Sequence, residues 1–193
     1  MSRVRRIIFM MSVSLDGFME GPDRELDWQR VDAELHGHFN EWLAAAGAFL
    51  DGRVTYELMA GFWPAADRDP AATPTMAEFA RIWREMPKIV YSRSLDPGTL
   101  AWNTTLAREV VVADIERLKA EPGGDLVVGG AELAAAFMRH DLIDEYRIYV
   151  QPVLIGRGKR TFLAPDVKAR LRLLETRVFG GGVVLLRYER PGF

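Results

Sequence analysis

Apolar residues in this chain follow two alternating patterns. Short, near-continuous runs of Val, Ile, Leu and Phe mark strands at residues 6–13, 48–50, 88–92, 109–112, 125–128, 145–150, 170–178 and 183–189. Several lack polar alternation, as strands covered on both faces do. Between them, apolar residues recur at helical spacing. Over 31–46 these are Val31, Leu35, Phe39, Trp42, Leu43 and Ala46. A second helix, 75–84, carries Met76, Phe79 and Trp83 on one side and ends before Pro87, which disfavours helix at Met86. A short helix is expected over 115–120 with Asp114 as its N-cap, and another over 131–140 behind a glycine pair. The stretch 61–75, holding Pro64, Pro70 and Pro74, reads as a surface excursion.

Past Glu145 the pattern changes. Residues 170–173 alternate polar and apolar, Phe179 and Gly180 to Gly182 turn, and 183–188 run back, which predicts an antiparallel hairpin. A mostly parallel α/β sheet with an antiparallel C-terminal edge, in one domain over 1–193, is the simplest architecture.

Charge adds little: 25 basic against 27 acidic side chains, net −2, give no global pull toward nucleic acid or an anionic membrane. Cysteine is absent, which excludes disulfides, thiolate metal sites and a cysteine nucleophile. His36 and His38 fall on different sides of one helix, so no metal site is expected. The basic, apolar start resembles a signal peptide, but Ser12, Ser14 and Asp16 interrupt it too early. No run approaches the roughly 20 apolar residues of a membrane span. A soluble, cytoplasmic protein is expected.

Three segments could carry chemistry. Gly129 and Gly130 follow a strand and precede a helix, where free backbone N–H groups donate to a pyrophosphate; the bland alternative is a tight turn requiring positive φ. The fingerprint Gly-x-Gly-x-x-Gly is missing, which argues against a standard dehydrogenase fold. Gly52, Arg53 and Thr55 are the more specific group, since arginine matches phosphate through a fixed donor fork; a surface arginine beside a capped helix is the alternative. Ser92, Arg93 and Ser94 after the strand 88–92 would clasp a ribose 2′-phosphate or form an ordinary polar turn.

Taken in order, Ser14-Leu15-Asp16-Gly17, Gly52-Arg53-x-Thr55-Tyr56-Glu57, Ser92-Arg93-Ser94 and Val128-Gly129-Gly130-x-x-Leu133 resemble the dihydrofolate reductase-like superfamily. Within it, the chain is most similar to stand-alone relatives of the C-terminal reductase domain of the riboflavin-biosynthesis deaminase/reductase. Residues 141–145 and 149–158 share that likeness. The resemblance implies a three-layer α/β fold with a mixed, mostly parallel sheet of about eight strands, and an NADPH-dependent oxidoreductase, often a homodimer. It places Ser12 and Val13 beside the nicotinamide, with Asp16 in the same cofactor-binding segment. Met19 to Trp28 would form a mobile loop over it. Arg53 and Thr55 would hold phosphates, Ser92 and Arg93 the 2′-phosphate, and Gly129, Gly130, Ala131, Glu132 and Leu133 the pyrophosphate.

For proton delivery, the resemblance implies a carboxylate on the first helix, at a position held by Leu35 or Glu34; Glu34 is the candidate, a solvated surface carboxylate its bland alternative, and His38 on the same helix could serve instead. Trp28, Phe39, Trp42 and Phe62 are available to wall the substrate pocket. The expected substrate is a small pteridine- or pyrimidine-like heterocycle. Val128 stands where the riboflavin branch usually has an acid, which puts the phosphoribosylaminouracil substrate in doubt. That reduction, dihydrofolate reduction, and a non-catalytic nucleotide-binding module remain the alternatives. Gly156 to Arg160 reads as a basic turn near a dimer interface or as a binder of a substrate phosphate.

Overall fold

The computed structural model describes residues 4–164 and 166–191. Six parallel strands carry the sheet: β1 (Ile7–Ser14), β3 (Ala48–Gly52), β4 (Lys88–Tyr91), β5 (Thr104–Ala107), β6 (Leu126–Gly129) and β7 (Glu145–Gln151). β9 (Arg172–Val178) and β10 (Val184–Glu189) complete it in the order β5-β4-β3-β6-β1-β7-β10-β9. β10 runs antiparallel to both of its neighbours, as the hairpin pattern predicts. Two short segments, β2 (Phe18–Glu20) and β8 (Lys159–Arg160), pair in a separate antiparallel ribbon.

Alternation along the buried strands divides the core between two layers of helices. Ile7 and Phe9 of β1, Leu50 of β3 and Val128 of β6 pack with Ile115 of α4 (Val112–Ala120) and Phe137 of α5 (Ala131–Arg139). On the opposite face, Phe49 and Val127 pack with Leu35 and Phe39 of α1 (Ala33–Leu43), Tyr56 of α2 (Arg53–Phe62) and Trp83 of α3 (Pro74–Glu85). Trp83 has no exposed surface, so the second layer is as closely covered as the first.

Two expectations need correction, and two others gain detail. The strand expected at 109–112 lies at Thr104–Ala107, and Val112 already opens α4. Asp114 therefore sits in the first turn and Val111 is the N-cap. The excursion 61–75 holds a 3-10 helix, Trp63–Arg68, whose Pro64 and Ala66 are buried against the body. The basic turn at Gly156 to Arg160 contributes β8, which folds back over β2.

Candidate functional site: two cavities divided by one turn

β3, β4 and β6 end side by side, and a cleft of 480 Å³ opens beyond them. Carboxyl ends of parallel strands are where open α/β sheets leave room for ligands. The turns after these strands supply Gly52, Arg53 and Thr55, then Ser92 and Arg93, then Gly129 to Leu133. Met19 and Glu20 of β2 and Lys159 of β8 close one side.

Local sequence makes this cleft receptive to anions. Asp32 caps α1 by accepting from Leu35 N, and Thr73 caps α3 by accepting from Met76 N. α2 and α5 start on Gly52 and Gly130 with no side-chain cap. Their first N–H groups are left for a ligand or water. Gly130 has φ +85°, and a Cβ there would stand 2.6 Å from Thr55 Oγ1. At Gly129 a Cβ would stand 2.6 Å from Asp51 Oδ1. The glycine pair is thus required by the residues opposite it as well as by the turn.

Four basic side chains line the cleft. Arg53 pairs with Glu57 at 2.9 Å along exposed helix surface. Lys159 holds Glu132 at 2.6 Å, and its ammonium keeps that carboxyl below the usual range. Arg108 donates to the carbonyls of Ser92, Arg93 and Leu95, pinning the turn that presents Arg93. Arg93 itself is exposed, and its guanidinium has no partner among the described residues. The Ser92 hydroxyl accepts from the N–H groups of Ser94 and Leu95, so its first role is to build the turn.

Behind the wall formed by Thr55 and Gly129 lies a second cavity of 500 Å³, sharing those two residues with the first. Its walls are mainly apolar: Met10, Leu26, Val31, Phe39, Met59 and Trp63, with Phe79 and Trp83 from α3. Trp63 and Phe79 meet edge to face, ring centres 4.4 Å apart. Only Gln29, His36, Asp51 and Thr55 bring polar side chains. Burial pushes His36 below its ordinary value against the opposing charge of Glu78. Burial raises Asp51 to about 7, the Lys88 ammonium only partly opposing it.

Eleven of the residues singled out in the sequence therefore meet around the first cleft: Met19, Gly52, Arg53, Thr55, Ser92, Arg93, Gly129, Gly130, Ala131, Glu132 and Leu133. Six others line neither cavity. Ser12 and Val13 lie in β1, paired to Tyr149 and Val150. Asp16 accepts from the N–H groups of Ile155 and Gly156 and tethers the segment after β7; the Ser14 hydroxyl, then these N–H groups, hold its carboxyl low. Trp28 donates to Glu25 O within its own loop, and its neighbours Leu26 and Gln29 reach the apolar cavity instead. Glu34 pairs with Arg177 and accepts from Gly180 N. His38 meets the Tyr149 hydroxyl at 3.1 Å, and burial, then Arg177 and Arg147, hold it below its ordinary value. The proton-delivery candidates thus face the C-terminal strands, away from the cavity.

Of the aromatic residues expected to wall the pocket, Phe39 does so, Trp42 lies under the Arg147 guanidinium, and Phe62 is exposed. Sequence reasoning missed Asp51, His36 and Trp63, and named Lys159 only within the basic segment Gly156 to Arg160. Asp51 was the most accessible of these, because it shares the face of Phe49 at the end of an apolar strand. Among the described residues, no cluster of three or more His, Asp or Glu side chains is arranged to hold a metal ion. No helix among them is long and apolar enough to cross a membrane.

Residues 5–185 match the model of the RibD C-terminal domain family. The chain belongs to that family. YyaP of Bacillus subtilis (strain 168) is 33% identical over 192 residues, covering 97% of this chain and 96% of the relative. Among solved structures, a protein of Shewanella sp. PV-4 named for riboflavin biosynthesis superposes with a TM-score of 0.74 at 22% identity, covering 96% and 98% of the two chains. Dihydrofolate reductase from Enterococcus faecalis, in complex with NADP(H) and RAB-propyl, superposes with a TM-score of 0.63 at 12% identity, covering 99% of each. These two likenesses concern the fold: the RibD C-terminal domain shares its sheet and layers with dihydrofolate reductase.

Proposed function

We propose that this RibD C-terminal domain protein is an NADPH-dependent reductase acting on a small, flat pteridine- or pyrimidine-like heterocycle. The observation that carries the reading is the pairing of an anion-receptive cleft with an apolar cavity through the shared wall of Thr55 and Gly129. A dinucleotide needs the first, and a flat ring needs the second. The family assignment and the fold shared with an NADP(H)-bound reductase support it.

The residues present fit such a cofactor. The uncapped N-termini of α2 and α5 and the close-approach glycines suit the pyrophosphate, with Arg53 beside them. The unpartnered Arg93 guanidinium suits a 2′-phosphate, and Arg108 fixes the turn that presents it. The reduced nicotinamide would supply hydride. The chain's own part is to orient the ring between Phe39, Met59 and Trp63 and to exclude water from it.

Titration with NADPH and NADH tests the reading, followed by quenching of the tryptophans, with Arg53→Ala and Arg93→Ala alongside. Micromolar NADPH binding, weaker NADH binding, and loss in both variants are expected. Binding of neither cofactor at millimolar concentration would leave the module reading, a nucleotide-shaped cleft without catalysis. The engagement of Glu34 and His38 elsewhere is the observation favouring that alternative.

We also propose a homodimer through β9. This edge strand is exposed along its whole length and carries Leu173, Leu174 and Val178 outward at 51%, 38% and 70% exposure. Long apolar edge strands are normally covered. Sedimentation should give twice the 21.8 kDa chain mass, reverting to the monomer in Leu173→Lys.

A further inference from the structure

Glu145, at the start of β7, has no exposed surface, and three guanidinium groups pair with it: those of Arg6, Arg147 and Arg187. Arg6 also reaches Glu189, and Arg187 reaches Glu175. The network ties the start of β1 to β7, β10 and β9, and it compensates the buried charge.

One buried carboxylate does not use up three guanidinium groups. Arg147 spends only its Nε on Glu145, at 2.7 Å, and its central carbon stands 4.2 Å from the centre of the Trp42 ring. Neither of its Nη groups has an acceptor among the described residues. The Arg147 side chain is only 13% exposed, so water reaches little of it. Arg6 Nε is buried and lacks an acceptor as well. Donors in that position cost free energy until an acceptor reaches them.

A cavity of 320 Å³ adjoins these groups and shares no residue with the cleft or the apolar cavity. It lies between the carboxyl end of α1, the segment 123–125 and the amino-terminal ends of β1 and β6. The anion-receptive cleft is at the opposite, carboxyl ends of the strands. Arg6, Arg147 and Arg187 line this cavity, and Asp125, which accepts from Arg6 N at 2.8 Å, is the carboxylate in its wall.

The carboxyl end of a helix attracts cations, which is the simplest reason for arginines in this corner. Here the last carbonyls of α1 already accept from Ala44, Ala45 and Ala46 N, and none of the three arginines donates to them among the described residues. The Arg147 fork is instead fixed by Glu145 and by the face of Trp42, with its Nη edge unengaged. A fork held in this way matches two oxygens of one oxyanion.

We propose that this cavity is a second anion site, where Arg147 donates through both Nη groups to a phosphate or carboxylate group of a small molecule. Arg6 and Arg187 stand beside it. Among the described residues, Arg6, Arg147, Arg172 and Arg187 face Asp125, Glu145, Glu175 and Glu189 across the network, so charge nearly balances. The site therefore suits a single acidic group rather than a polyphosphate. It stands apart from the cofactor cleft, so neither reading depends on the other.

Nitrogen-15 spectra of the intact protein, titrated with methyl phosphate and with acetate against sodium chloride of equal ionic strength, test this. The Arg147 Nε–H and Trp42 Nε1–H signals should shift and saturate at roughly millimolar anion, the range expected of one small charged group. The anion that saturates at the lower concentration identifies the acidic group of the ligand. Arg147→Lys keeps the charge and removes the fork, so the Trp42 signal should then need about tenfold more anion. Shifts confined to Arg53 and Arg93 would put the anion in the cleft alone and overturn the inference. Shifts at Arg147 that never saturate, or that chloride reproduces, would mean an adventitious ion only and overturn it equally. An undiminished response in a folded Arg147→Lys overturns the role of the fork, and the wild-type titration decides by itself if that variant does not fold.

Discussion

The two cavities differ little in volume, 480 against 500 Å³, and share the wall of Thr55 and Gly129, yet opposite physics builds them. The cleft beside Arg53 and Arg93 is built on backbone, from uncapped helix ends, glycines and short turns, with four basic side chains along it. The cavity beside Phe39 and Trp63 is made of side chains from three helices, a 3-10 segment, the strands beneath them and the loop before α1. The backbone of the cleft tolerates side-chain change except at the sterically required glycines and the basic residues. A side-chain site is sensitive wherever packing is complete. Asp51 belongs to the second region by contact and to the first by position, which makes it the most informative place to separate them.

The largest effect is expected there. Unfolded Asp51 ionises near 3.8 and the folded residue at about 7. Between those values the folded state binds more protons, so this group's contribution to stability falls as pH rises from about 4 to about 7, and stays low above that. Asn cannot ionise and lacks the slope. At about 1.4 kcal/mol per pH unit, the ceiling on the difference is roughly 4 kcal/mol. Denaturant melts of wild type and Asp51→Asn should therefore diverge steadily from pH 4 to pH 7, with the variant gaining. The buried Asp144 titrates in both proteins and cancels in the difference. Parallel stability curves would show that Asp51 has a partner in solution.

Phe39→Ala attacks the cavity alone. Phe39 is 9% exposed, lines the cavity, and meets Tyr149 edge to face at 4.8 Å. Truncation of a buried aromatic costs about 3–5 kcal/mol, and the lower end applies because this side chain already borders empty space. The expected outcome is a loss of about 3 kcal/mol in unfolding free energy with NADPH affinity within twofold of wild type. Gly130→Ala attacks the cleft alone: a left-handed φ of +85° and a Cβ 2.6 Å from Thr55 Oγ1 should cost about 1–3 kcal/mol. NADPH affinity should fall at least tenfold while the apolar cavity still takes up a flat hydrocarbon probe such as 2-methylnaphthalene. A variant that lost both ligands would show that the shared turn couples the two regions.

The contrast also explains what could be read from the chain. The cleft was legible because its chemistry is local: Gly52 with Arg53, Ser92 with Arg93, and Gly129 with Gly130 each lie within one turn, at strand ends that hydrophobic runs disclose. The cavity draws on Met10, Phe39, Asp51, Trp63 and Trp83, which come from separate elements, and nothing in the spacing joins them. Glu34 and His38 fail as cavity residues for a related reason. On α1, His36 turns to the cavity, while Glu34 and His38 turn to Arg177 and Tyr149. Helical phase alone does not say which side the next layer occupies. The strand 104–107 was missed because Thr104 and Thr105 make its pattern weaker than the Val110-Val111-Val112 run behind it.

The smallest effect should come from Arg93, and it sharpens the comparison by testing which end of the cofactor the cleft reads. The Arg93 side chain makes no contact among the described residues that supports the fold, and its carbonyl still accepts from Arg108 in the variant, so Arg93→Ala should leave the melting temperature within a degree of wild type. Charge-assisted hydrogen bonds to an anion contribute about 1.5–3 kcal/mol, and an exposed site lies at the bottom of that range. NADPH affinity should therefore drop about tenfold, while NADH affinity, lacking the 2′-phosphate, stays within twofold. Raising ionic strength should weaken NADPH binding more in wild type than in the variant, because screening acts on the charge that the variant no longer has. Equal losses for both cofactors would move Arg93 from the 2′-phosphate to the pyrophosphate and leave NADPH selectivity to Lys159 or Arg108, the remaining basic side chains of that wall besides Arg53.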